Sequence, residues 1–265
     1  MKRRQFLAAS VAASAFALTD SKLAQAQAAG SGREYYLLQR YGLQSGPQSK
    51  LVESYFADAL IPTLTRLGLG PIGAFHLTLG PETPAYYLVI PGTPLEGLAT
   101  LDLRLAGDAD FLKAAEPFWN ATAAAPAFLR VESSLMSAFT GWPKLTPPPA
   151  TATKAKRIFQ LRTYESPSHG EHVRKVEMFN SGEFDIFSKA GLHPVFFGDT
   201  LVGSRMPNLT YMLSLTDLTE LDAKWALFGN DPNWKKLSSS QRYAYDQIVT
   251  NVSNLILSPL GCSQI

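Results

Sequence analysis

The segment Phe159-Gln-Leu-Arg-Thr-Tyr164 decides the fold, because a similar segment, Tyr36-Leu-Leu-Gln-Arg-Tyr41, occurs earlier in the chain. In both segments apolar and polar side chains alternate, which is typical of a β-strand with one buried face. Two more pairs of segments repeat at the same offset of 123 residues, namely Leu67–Ile72 with Ala190–Val195 and Asp108–Phe111 with Asp231–Trp234. A constant offset across three elements indicates an internal duplication.

Each copy predicts the same order of elements: a strand, an amphipathic helix, two strands, a helical stretch and a last strand. Strands are expected at about 35–41, 71–79, 85–90 and 128–136, and again at about 158–164, 194–202, 209–215 and 251–257. This βαββαβ order is that of a ferredoxin-like unit, an antiparallel sheet with helices on one face. The bare faces or the free edges of two such sheets can cover each other, and joined edges make an eight-stranded barrel. The predicted class is therefore α+β, with two tandem ferredoxin-like units forming one pseudo-symmetric barrel, a barrel-type pseudo-dimer.

We divide the chain into four segments, namely a targeting segment at 1–26, a first copy at 34–145, a linker at 146–154 and a second copy at 155–265. The linker contains Pro147-Pro148-Pro149. Consecutive prolines cannot continue a helix or a central strand, so the linker is expected to be stiff and extended.

The first 26 residues resemble a twin-arginine export signal. Arg3-Arg4-Gln-Phe-Leu7 precedes an apolar stretch and a small-residue cleavage site at Ala24-Gln-Ala26. A plain secretory signal and an uncleaved anchor remain alternatives, and export predicts a periplasmic or secreted protein. The segment carries four basic residues against Asp20, so the formal charge of +2 becomes −1 without it.

Composition excludes several classes of protein. The 265 residues are 46% hydrophobic and 17% charged, which fits a folded globular chain. The small net charge does not favour nucleic-acid binding, and no membrane span is expected in the mature chain because no apolar run reaches 18 residues. Cys262 is the one cysteine, so no internal disulfide can form.

The second copy resembles the NIPSNAP family. The likeness lies in Phe159–Tyr164, Arg205-Met-Pro-Asn-Leu-Thr-Tyr-Met-Leu213, Trp225–Phe228 and Asp231-Pro-Asn-Trp234. The first copy departs from the pattern, with Gln39 where the second copy has Arg162. The resemblance implies the dimeric α/β-barrel form of the ferredoxin-like fold. Relatives on that barrel include small oxygenases, haem-handling enzymes and plain binding proteins, so it implies no single activity.

The opening strand carries the candidate ligand-binding residues. Phe159 and Leu161 should meet the helices, whereas Gln160, Arg162 and Tyr164 should point into the barrel. A buried arginine beside a phenol suits a carboxylate, phenolate or enolate ligand. The alternative is that Arg162 pairs with a carboxylate such as Glu165 or Asp199. The further candidates are Gln39 and Tyr41 on the first copy's strand and Arg205 and Tyr211 in the family motif.

Other conspicuous residues have structural interpretations. Trp225, Phe228 and Trp234 are expected in the core, and Asp231 before Pro232 predicts a helix N-cap. His169 and His172 are interpreted as exposed residues at a helix start rather than a metal site, because a third ligand is missing. Haem ligation by a histidine, His76 and His193 included, has no supporting motif. The pattern Gly68-x-Gly70-x-x-Gly73 follows a helix instead of opening one, so it is not a dinucleotide site.

Three functions remain open from the sequence. The first is an exported protein that binds a small organic molecule in the barrel. The second is a non-catalytic interaction or scaffold module, and the third is a haem-dependent or cofactor-free barrel enzyme. Whether the protein is catalytic, and whether it forms a homo-oligomer, is left undecided.

Overall fold

The computed structural model of the protein describes residues 32–265, in which eight strands close into a barrel. The targeting segment predicted at 1–26 lies outside the described residues. The strands are β1 (Tyr35–Gly42), β2 (Gly73–Leu79), β3 (Ala85–Gly92), β4 (Arg130–Ala138), β5 (Ile158–Glu165), β6 (His193–Val202), β7 (Asn208–Leu215) and β8 (Asn251–Pro259). Every bound lies within two residues of its predicted position.

The barrel is built by joining the edges of two equal halves. Its strand order is β1-β3-β2-β8-β5-β7-β6-β4, and all neighbours are antiparallel. Within the first half the order is β4-β1-β3-β2, and the second half repeats it as β8-β5-β7-β6. The pairs β2–β8 and β4–β6 close the barrel, so no strand edge of either half stays open.

The helices lie between the strands in the predicted places. They are α1 (Pro47–Ser54), α2 (Ile61–Arg66), α3 (Leu95–Ala99), α4 (Leu101–Ala106), α5 (Ala109–Ala114), α6 (Glu116–Trp119), α7 (His169–Met178), α8 (Phe184–Lys189), α9 (Leu218–Asn230), α10 (Pro232–Ser238) and α11 (Tyr245–Ile248). A π-helical segment joins α1 to α2 over Tyr55–Leu60, and another joins α7 to α8 over Phe179–Glu183. The predicted cap is confirmed, since the Asp231 carboxylate accepts from the Asn233 amide at 2.6 Å at the start of α10.

Residues 123 apart occupy equal places in the two halves, and we call them counterparts. His76 lies opposite Tyr86 across β2–β3, as Asp199 lies opposite Leu209 across β6–β7. Gly68 and Gly191 follow α2 and α8 with φ of 77° and 71°, a left-handed conformation that glycine adopts without a Cβ clash.

Two predictions need correction, namely which side of the first strand of each half faces the barrel interior and the extended form of the linker. The interior of the barrel is filled by apolar side chains, among them Tyr36, Phe75, Phe159, Leu161 and Met212. The polar set of β5 instead faces the helices, so the predicted orientation of the strand is wrong in both halves. The interior also holds small polar side chains such as Thr163 and Thr210, whose hydroxyls are 2.8 Å apart, but a charged guanidinium would lose its water there without gaining a partner. In the linker, Pro149–Thr151 forms a 3-10 turn because proline fits the first helical position.

Within residues 32–265, none of the helices combines the length and the apolar character that a membrane crossing requires.

Candidate functional site

Arg162 lies between the barrel wall and the helices of the second half. It stands opposite Tyr211 across β5–β7, and its guanidinium carbon is 4.2 Å from the ring centroid of Trp225 on α9. The ring of Tyr164 is 5.3 Å away. These distances are those of cation–π contacts with aromatic walls on two sides.

The guanidinium of Arg162 has no carboxylate partner within 4 Å among residues 32–265, and its buried Nε has no hydrogen-bond partner there. The two expected partners are engaged elsewhere. Glu165 accepts from Asn251 at 2.8 Å, and Asp199 contacts His172 at 2.7 Å. The alternative of an Arg162 ion pair with either carboxylate is therefore wrong. The Arg162 guanidinium hydrogen-bonds Tyr164, and its other N–H groups keep donors available while the residue is partly exposed.

A buried ion pair lies in the same layer. Lys175 on α7 donates from Nζ to Glu183 Oε2 at 2.6 Å, and the two side chains are 0% and 2% exposed. The Lys175 ammonium is 4.1 Å from the ring centroid of Phe179 and 5.3 Å from that of Tyr245. Burial lowers the pKa of Lys175 and raises that of Glu183, while the charge of each opposes the shift of the other.

Three phenols surround the two cations. The hydroxyls of Tyr164 and Tyr211 are 2.8 Å apart, and Tyr245 is a further hydrogen-bond partner of Tyr164. Burial raises the pKa of all three tyrosines, so they stay neutral and can donate a hydrogen bond. We call the following set the cation–aromatic cluster: Arg162, Tyr164, Lys175, Glu183, Tyr211, Trp225 and Tyr245.

The cluster carries one net positive charge. Wherever the proton of the Lys175–Glu183 pair resides, the pair sums to zero and Arg162 adds one charge. A cation without an anionic partner in a layer of aromatic rings would be stabilised by a bound anion.

The first half shows that the fold does not need these charges. The counterparts of Arg162, Lys175 and Glu183 are Gln39, Val52 and Leu60. Val52 and Leu60 are buried in an apolar helix layer, and Gln39 accepts from the Tyr41 hydroxyl at 3.1 Å. The same elements therefore close on apolar and neutral side chains, and the charges of the second half serve something other than closure.

The predicted site residues fall into two groups. Gln160, Arg162, Tyr164 and Tyr211 come together, with Gln160 Oε1 accepting from Trp225 Nε1 at 2.8 Å. The other group lies elsewhere, since Gln39 and Tyr41 face the helices of the first half and Arg205 is exposed in the turn between β6 and β7.

Sequence reasoning missed Lys175, Glu183 and Tyr245. A signal for Lys175 was available, because its counterpart Val52 is an apolar residue on the buried face of an amphipathic helix. A lysine at a core position is rarely left unpaired.

Trp225, Phe228 and Trp234 pack in the helix layer, where Phe228 is buried and the two tryptophans are partly buried, so their predicted core role is confirmed. His172 is buried, which corrects its predicted exposure, while His169 is exposed. The sequence predicts no cofactor, and haem stays an untested alternative, for which His172 Nε2 would have to give up its contact with Asp199. Among residues 32–265, no three side chains of His, Cys, Asp or Glu form a set that could hold a metal ion.

An open cleft of about 490 Å³ borders this layer on its outer side. It is lined by Ser181 and Gly182 of the second π-helical segment, by Lys189 on α8, by Lys236 on α10 and by Tyr243. Its size suits a small organic molecule.

Comparison with known proteins gives a family match in the second half. The NIPSNAP family model matches residues 159–264, so the second half contains a NIPSNAP domain. The predicted resemblance is confirmed there, and the match does not extend into the first half. No curated protein matches the chain in sequence.

Solved structures resemble the whole barrel at low sequence identity. A "putative monooxygenase" from Lactobacillus acidophilus NCFM is 10% identical over 86% of this chain and 94% of its own, with a TM-score of 0.54. Another, from Fusobacterium nucleatum, is 6% identical over 86% and 93%, also with a TM-score of 0.54. These likenesses show the fold alone, a mixed α/β fold with a closed eight-stranded barrel. An uncharacterised NIPSNAP-like domain protein from Burkholderia xenovorans matches 40% of this chain and 86% of its own, with 16% identity and a TM-score of 0.36.

Proposed function

We propose that the protein binds a small planar organic anion at the cation–aromatic cluster of its second half. The site lies on the helix side of the barrel wall, because the barrel interior is filled by apolar side chains. Each half is proposed to be a ferredoxin-like unit, and the second unit is the one that binds.

One observation carries the proposal. Arg162 brings a positive charge into an aromatic layer, and no carboxylate of residues 32–265 neutralises it within 4 Å. A guanidinium with free donors recognises a carboxylate or an enolate through charge-assisted hydrogen bonds. The hydroxyls of Tyr164 and Tyr211 hydrogen-bond to each other, so the pair has at most one hydroxyl hydrogen left to donate, and the ring of Trp225 favours a flat ligand.

The test compares benzoate with benzamide, which has the same shape and no charge. We expect benzoate to raise the melting temperature of the full chain and benzamide to leave it unchanged. Arg162→Gln installs the residue that the first half tolerates at the counterpart position. A charge-assisted hydrogen bond contributes about 1.5–3 kcal/mol, so this variant should bind benzoate about 10- to 100-fold more weakly.

Arg205→Gln is the matched control, because Arg205 is an exposed arginine of the same half. It should bind benzoate as the unchanged protein does. Equal benzoate affinity in the Arg162→Gln variant would show that Arg162 is not the anion site.

Catalysis on the bound anion is a second candidate, favoured by the fold likeness to the two structures described as "putative monooxygenase". A phenolate or enolate held by Arg162 would react with oxygen more readily than its neutral form. Oxygen uptake with 1-hydroxy-2-naphthoate, compared between the unchanged chain and Arg162→Gln, tests it. Uptake that is the same in both proteins contradicts it.

Export through the twin-arginine route is proposed on the residues of the first segment, Arg3 and Arg4 among them. Replacing both arginines with lysine should keep the protein inside the cell, as cell fractionation would show. Unchanged export of that variant would favour a plain secretory signal.

A further inference from the structure

The first half contains a polar cavity of about 450 Å³ that is open to the surface, between α1 and the strands β2 and β3. Ser49, Glu53, His76, Thr83 and Tyr86 supply its polar lining. It lies in the other half from Arg162, and the cation–aromatic cluster contributes no residue to it.

The lining is hydrogen-bonded on one side and open on the other. The Tyr86 hydroxyl donates to Glu53 Oε1 at 2.6 Å and also accepts from Ser49. His76 lies opposite Tyr86 across β2–β3, and its ring has no hydrogen-bond partner among residues 32–265. A free imidazole and the second oxygen of Glu53 are therefore available to a ligand.

The second half shows what fits this place. The counterparts of Ser49 and His76 are His172 and Asp199, and there the imidazole Nε2 contacts Asp199 Oδ1 at 2.7 Å. His172 is buried, so its ring occupies the space between helix and sheet. The two positions thus face each other within reach of a histidine side chain. Where Ser49 replaces the histidine, the space of the ring stays open.

We infer that this cavity binds a small planar nitrogen heterocycle with an N–H donor, such as an imidazole. The ring would lie where the His172 ring lies in the second half. Its N–H would donate to the Glu53 carboxylate, and its second nitrogen would accept from the His76 ring. The aromatic face of Tyr86 supports a flat ligand.

The test uses imidazole and 1-methylimidazole, which is matched in size but has no N–H in its neutral form. At a pH where both are neutral, saturation-transfer NMR on the full chain should show imidazole binding in the millimolar range and weaker binding of 1-methylimidazole. Ser49→His fills the cavity with the ring of the second half and should reduce imidazole affinity at least about tenfold.

Two further variants make the answer independent of one substitution. Glu53→Gln keeps the cavity volume, removes the charged acceptor and should also weaken imidazole binding. His172→Ser opens the equivalent space in the second half, where imidazole should bind next to Asp199 and restore part of the melting temperature lost by the substitution. Absence of saturable imidazole binding to the unchanged chain, or unaltered binding in both Ser49→His and Glu53→Gln, overturns the inference.

Discussion

The buried pair of Lys175 and Glu183 offers a sharp test of the view that the charges of the second half are not there for stability. The perturbation is Lys175→Met, which keeps the length of the side chain but leaves Glu183 buried without its partner. Removing one member of a buried ion pair typically costs 3–5 kcal/mol. In this variant Glu183 can either take up a proton or stay ionised near the positive charge of Arg162. We therefore expect the free energy of unfolding to fall by about 3 kcal/mol, the low end of that range.

The double variant Lys175→Met/Glu183→Leu removes both charges and supplies apolar side chains of similar volume. The first half already packs Val52 and Leu60 at these positions. The free energy of unfolding of the double variant should therefore lie within about 1 kcal/mol of that of the unchanged protein. For a unit of this size, a loss of 3 kcal/mol lowers the melting temperature by about 6–12 °C. The double variant should recover nearly all of that loss.

The assay is urea unfolding followed by tryptophan fluorescence, with all variants at one pH and protein concentration. The two single variants and the double variant form a cycle whose coupling free energy isolates the pair. A double variant less stable than either single variant would refute the reasoning, because the pair would then stabilise the fold by itself.

Three further predictions concern stability. Arg242 and Tyr243 hold the pKa of Glu177 at about 2, below its ordinary 4.5, so this contribution is present above pH 4.5 and is lost as the pH falls towards 2. Glu177→Gln should flatten stability over that range in acid titration, and an unchanged pH profile would count against the contact. Asp231→Ala removes the cap of α10 and should cost about 1 kcal/mol in urea unfolding, whereas no loss would mean that the helix start is held by packing. Phe159→Ala empties a barrel position packed on Phe75 and should cost about 3–5 kcal/mol, and a cost near zero would contradict a filled interior.

Much of the architecture could be predicted because duplication supplies two independent observations of each element. The 123-residue offset fixed the order of strands and helices in both halves, and the need to protect sheet edges predicted closure. The joining of edges, rather than the stacking of faces, could not be decided beforehand. That choice depends on the pairs β2–β8 and β4–β6, which connect residues far apart in the chain.

The side of the wall that carries the site was not predictable from alternation. Alternating residues show that the two faces of β5 differ, but they do not show which neighbour each face meets. The side chains of Arg162 and Tyr164 each combine an apolar portion with a polar end group. In the helix layer, where Trp225 packs over Arg162, both portions find contacts. The interior is mostly apolar, and Phe159 and Leu161 pack there.

The asymmetry between the halves separates what the fold requires from what the site requires. Closure of the barrel needs both halves, because each supplies the partner edges of the other. Closure does not need identical helix layers, and the two layers differ at the positions that carry charge. Gln39, Val52 and Leu60 therefore act as a control within the molecule for Arg162, Lys175 and Glu183. Since the control positions fold without charge, closure of the barrel does not account for the charged set, and the anion binding that we propose would account for the unpaired charge of Arg162.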